Sequence, residues 1–155
     1  TPVPPTPSAP ATLASVGRGW WVDAAAGSDE TGSGHELYPL RSLARALFEA
    51  WPGDTIHLRS GVYAGGARVT RPNITLQSAP GHWAVVASPL NDQIESSSVL
   101  ELREGAQGGV LRNLELVGGF YYGLMLWTDW ENYGTAQERS AQARGASHWL
   151  VENVR

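Results

Sequence analysis

Residues 20–63 read WWVDAAAGSDETGSGHELYPLRSLARALFEAWPGDTIHLRSGVY, and few folds accept that order of signals. Trp20, Trp21 and Val22 open an apolar strand. Residues 23–34 are rich in turn formers (Gly27, Ser28, Asp29, Gly32, Ser33, Gly34) and form a loop, with Asp29 expected to cap backbone N–H groups. Pro39 or Ser42 then opens a helix. Leu40, Leu43, Ala44, Leu47 and Phe48 recur at helical period, while Arg41, Arg45 and Glu49 fall off that stripe. Pro52-Gly53 ends the helix, and Thr55 to Leu58 starts the next strand.

Beyond Asp54 the helical period disappears. Short β-rich runs recur at 55–58, 67–70, 74–77, 84–87, 98–102, 110–111, 114–117, 122–127 and 148–151. Turns such as Arg71-Pro72-Asn73, Ala79-Pro80-Gly81 and the glycines at 105–109 separate them. Such runs suit coils in which each short strand pairs with its equivalent one coil away, at a loose repeat of about 20–25 residues. One pair of segments is closer: Val110-Leu111-Arg112-Asn113-Leu114-Glu115 resembles Trp149-Leu150-Val151-Glu152-Asn153-Val154. Asn tolerates the left-handed conformation of a strand bend. Stacked Asn ladders are a feature of parallel β-helix proteins, and a resemblance to them implies that Asn113 and Asn153 stack as neighbouring rungs with buried side chains. The forty positions between them require an insertion at 129–145. Thr135-Ala136-Gln137-Glu138 within it has the pattern of a capping box, expected to begin a short surface helix or a loop.

The 20–63 segment, above all PGDTIHLRSGVY, resembles the N-terminal cap of right-handed parallel β-helix proteins of the pectate-lyase-like group. The similarity covers roughly residues 20–126 and extends to family 9-type polysaccharide lyases. It implies an all-β fold, a right-handed parallel β-helix with an N-terminal capping helix. Residues 1–19 would be a Pro-rich flexible segment, and 20–155 the cap and first coils. The helix near 40–51 would seal an end that otherwise offers unpaired strand edges.

The resemblance implies a secreted or periplasmic polysaccharide-degrading protein, a lyase cleaving a uronic-acid-containing glycan by β-elimination. The alternative is a non-catalytic glycan-binding or surface-structural protein. In β-helix lyases with this cap the base is a lysine on later coils. All eleven basic residues here are Arg, so that base has no counterpart in this chain. The catalytic residues are expected outside it, on a second chain or C-terminal fragment that completes the fold. Ca²⁺ is the cofactor the resemblance suggests, without identifiable ligands here.

Composition narrows the classes further. A net charge of -4 argues against a general nucleic-acid surface. No apolar run approaches the ~18–20 residues of a membrane span. Without Cys there is neither disulfide nor thiolate metal site. The opening TPVPPTPSAPATLAS has linker composition and is expected to be a mature N-terminus left after export processing.

Substrate contact is expected at Trp127, Asp129, Trp130, Glu131 and Tyr133. Aromatic faces stack on the apolar C–H faces of sugars, while carboxylates accept their hydroxyls, and long loops in compact folds are often functional. Packing and a solvated loop face are the competing roles for these residues. Asp129 with Glu131, and Asp92 with Glu95, are carboxylate pairs read chiefly as loop polarity. His35, His57, His82 and His148 lack metal-ligand spacing, and His57 is expected as an outward-facing polar strand residue. Arg59, Arg68, Arg103 and Arg112 can bind carboxylates, but their scatter reads as solvent-facing.

Overall fold

A computed structural model describes residues 17–88, 98–127 and 146–155. Ten strands and one helix follow in the order β1 (Gly19–Val22), α1 (Leu43–Glu49), β2 (Thr55–Leu58), β3 (Gly61–Ala64), β4 (Ala67–Val69), β5 (Thr75–Ser78), β6 (Ala84–Ser88), β7 (Ser98–Leu102), β8 (Val110–Gly118), β9 (Tyr122–Leu126) and β10 (Leu150–Val154). Every pairing between these strands is parallel. The seven-stranded sheet runs β1-β2-β5-β8-β6-β3 with β10 also on β8, and the three-stranded sheet runs β4-β7-β9.

The expectation of an all-β, right-handed parallel β-helix is corrected here. The strands collect into two sheets joined to one helix, neither sheet closes, and the separate faces of a coil are not formed among the described residues. The reason lies in β8. The runs at 110–111 and 114–117 look like two strands with a bend between them. In the structure they are one nine-residue strand. Its first half pairs with β5 and β10, its second half with β6, so two expected faces merge into one sheet. The 61–64 strand was not expected at all, because Gly61 and Gly65 frame it like a turn.

The burial pattern explains why short segments suffice. Along β2 and β5, Ile56, Leu58, Leu76 and Ser78 are buried, and the residues between them are half-exposed. This alternation is what one-sided burial demands, since successive side chains point to opposite faces. The core gathers Trp20, Ile56, Leu76 and Leu111 from the large sheet. Val69, Leu100 and Leu102 enter it from the small one. β7 lies between β4 and β9 and is buried along its whole length.

Helix α1 is shorter than the 40–51 expectation. Ser42 caps it, with an extended backbone and an Oγ that accepts from the Arg45 N–H at 3.1 Å. Its buried residues are Leu43 and Ala46, while Phe48 is exposed, so the packed face is rotated from the stripe read in sequence. Asp29 does cap backbone: its Oδ1 accepts the N–H of Arg41 at 2.8 Å and of Ser42 at 3.0 Å, fixing the entry to the helix.

Asp54 is the knot of this N-terminal part. It is buried and accepts the Arg18 N–H, the Trp20 indole N–H and the Trp51 N–H, each at 2.8 Å. The Asp of the PGDT stretch thus ties β1 to the turn after α1. Trp20 in turn packs against Gly34, where a Cβ would fall 2.3 Å from the indole.

Candidate functional site

The large sheet carries five strands in register, β1, β2, β5, β8 and β10. One outward position on each gives a row of Trp21, His57, Gln77, Arg112 and Glu152. At a strand spacing of about 4.8 Å this row spans about 19 Å. Its members touch. The Trp21 and His57 rings stack with centroids 4.9 Å apart and planes 25° apart. His57 Nδ1 and Gln77 Nε2 stand 3.3 Å apart, and Arg112 pairs with Glu152 at 3.3 Å. A parallel row of Gly19, Thr55, Thr75, Val110 and Leu150 flanks it.

Charge at the row's head comes from the loop after β2. The Arg59 guanidinium lies 5.7 Å from the Trp21 ring centroid, pairs with Asp23 at 3.3 Å and donates to the Glu36 carbonyl at 2.8 Å. Burial pushes His57 below its ordinary value, and the charge of Glu36 offsets part of that. The imidazole is therefore neutral at neutral pH. Since Gln77 Nε2 donates, Nδ1 accepts and the proton sits on Nε2. That nitrogen borders Gly19, where an added Cβ would meet it in contact at 3.4 Å.

Of the residues expected to contact substrate, only Trp127 is described; Asp129, Trp130, Glu131 and Tyr133 lie outside the described residues, as do Asp92, Glu95, the insertion at 129–145 and most of the 1–19 segment. Trp127 follows β9, on the small sheet rather than beside the row. Its ring is exposed, with the Arg103 guanidinium 4.4 Å from the centroid. Arg103 also shares the buried Glu101 carboxylate with Arg68, each at 3.2 Å. The four arginines read as solvent-facing are thus all paired with carboxylates of this chain.

No group of His, Asp or Glu able to hold a metal occurs among the described residues. The row itself escaped the sequence reading. His57 and Arg112 look like isolated outward residues until register places them two strands apart on one line. The available signal was the alternation within each strand. A scan against protein-family models finds no match, and a search of curated proteins finds none either.

Proposed function

We propose that this chain binds an acidic polysaccharide along the row from Trp21 to Glu152. The observation that carries the reading is the in-register line of a stacked aromatic, an imidazole, an amide and a guanidinium across five parallel strands. Flat rings offer faces for sugar C–H groups, and amides and threonine hydroxyls offer hydrogen bonds to sugar hydroxyls. Among the described residues, the ion pair that holds Arg112 is the half-exposed one with Glu152. Such pairs are worth about 0–1 kcal/mol, so a uronate carboxylate can replace Glu152 at little cost. The test is affinity electrophoresis in gels containing polygalacturonate, alginate, a glycosaminoglycan or neutral dextran. Retardation by an acidic polymer, lost in Arg112→Ala and Trp21→Ala proteins that still melt cooperatively, supports the reading. Equal mobility in every gel overturns it.

His57 favours a second reading, in which the glycan is also cleaved by β-elimination. A neutral imidazole can take the proton beside the uronate carboxylate only through Nδ1, so Gln77 must first release that nitrogen, because Nε2 already carries a proton. The electron pair then forms the C4–C5 double bond and expels the glycosidic oxygen. The unsaturated product absorbs in the ultraviolet, so absorbance of a polyuronate solution, with and without EDTA, decides the matter. Activity abolished in His57→Gln protein that still binds the polymer supports elimination by this residue, and undiminished activity in that variant excludes it.

A further inference from the structure

The layer formed by β9, the end of β8 and β10 differs from the layers beneath it. Leu111, Leu100 and Leu102 are fully buried. Their in-register neighbours one strand further on are Val151, Leu124 and Leu126. Val151 is 43% exposed, Leu126 52%, and Leu124 only partly buried. Ser98 is buried and its neighbour Tyr122 is exposed. Inward-facing positions thus end in an uncovered apolar layer, along strands that pair on one side only among the described residues.

Three features at β10 specify what would fit there. First, Asn153 adopts φ 49° in register with Asn113 at φ 55°, and its Nδ2 donates to Asn113 Oδ1 at 2.9 Å. A planar amide that donates toward β8 turns its oxygen the other way, as an acceptor for a further rung. Second, an apolar residue stands two places before and one place after each Asn: Leu111 and Leu114 on β8, Val151 and Val154 on β10. Third, the residue just before the Asn is Arg112 on β8 and Glu152 on β10, and these pair. Glu152 still has 48% of its side chain exposed.

We propose that this face takes up an additional parallel β-strand carrying the pattern apolar–Arg–Asn–apolar, by strand addition to β10. The added strand donates its Asn amide to Asn153, sets its Arg against Glu152 and covers Val151. Main-chain hydrogen bonds supply affinity in such additions, and alternate side chains supply specificity. β8 itself carries Leu111-Arg112-Asn113-Leu114, so a peptide of its sequence is a matched probe.

The experiment measures amide hydrogen exchange of the full chain with excess synthetic peptide of sequence 108–118. Exchange at 150–155 should slow by about tenfold while β2 and β5 are unchanged. Peptides carrying Arg112→Glu or Asn113→Leu should protect much less, although the second is more apolar. Protection by all three peptides alike would reduce the face to an unspecific apolar surface and overturn the proposal. So would no protection by the matched peptide. Sedimentation showing a dimer already protected at 150–155 without peptide would assign the face to a second copy instead, which also overturns it.

Discussion

Asp54 shows how much a single buried carboxylate can organise. Its two oxygens satisfy three N–H groups from residues that are 3, 34 and 36 positions away. Asp54→Ala removes every acceptor and leaves the Trp20 indole N–H buried without a partner. The variant should lose about 3–5 kcal/mol in urea denaturation. Asp54→Asn keeps one carbonyl oxygen and should lose less. His57 makes the complementary case for pH. Its folded-state value lies below the ordinary 6.5 because burial disfavours the cation. Above 6.5 the imidazole is neutral in both folded and unfolded chains and costs nothing. As pH falls through that value the unfolded chain binds the proton first, and stability declines until the folded-state value is passed. Melting temperature should therefore begin to drop as pH falls through 6.5. His57→Gln, which keeps an amide beside Gln77, should flatten that segment of the curve. Asp23 and Asp29 govern a separate, more acidic limb. The Ala26 N–H is foremost in holding Asp23 below the usual 3.8. For Asp29 burial pushes upward, but the Ser42 and Arg41 N–H groups outweigh it. Their stabilisation is present above 3.8 and fades as pH falls through their lower folded-state values.

Among elements, the bends are as ordered as the strands. Gly53, Asn73, Gly108 and His148 all have positive φ, at 95°, 56°, 72° and 59°. They stack one above another just before β2, β5, β8 and β10. The Gly53 N–H reaches the Asn73 carbonyl at 3.1 Å, the Asn73 N–H the Gln107 carbonyl at 2.7 Å, and the Gly108 N–H the Ser147 carbonyl at 2.9 Å. A left-handed residue at each level lets the chain turn into the strand with the same geometry. Asn73→Val places a β-branched side chain there and should cost about 1–2 kcal/mol, measured by thermal melting, whereas Asn73→Gly should be tolerated. This element-level order was partly legible. The Asn113–Asn153 pairing follows from matching two short segments, and the hydrogen bond between them is present. Both side chains are exposed, however, not buried as expected. Asn113 lies within β8 with its side chain outward, and its neighbours Leu111 and Leu114 are the ones that reach the core. His148 was not legible in this role, because nothing local distinguishes a histidine in a left-handed bend from one in a strand.

For the whole molecule, stability should grade from the centre of the large sheet to its edges. β2, β5 and β8 are flanked on both sides by strands, whereas β1 and β10 pair on one side only among the described residues. Native-state hydrogen exchange should accordingly show, among these five strands, the slowest amides in β2, β5 and the first half of β8, and the fastest in β1 and β10. Uniform protection across all five strands would show that they open as one unit. What the sequence by itself determined is local. Apolar alternation placed most of the strands, Ser42 set the start of the helix, and PGDT marked the turn after it. These depend on neighbours a few residues away, whose geometry the backbone dictates. The tertiary structure alone decided which strands share a sheet, which face of α1 is buried, and that Trp21, His57, Gln77, Arg112 and Glu152 form one line. Parallel partners here stand 20 to 40 positions apart, as in Thr55 with Thr75 and Val110 with Leu150. Their register is set by packing a common core, a constraint that no local stretch of sequence carries.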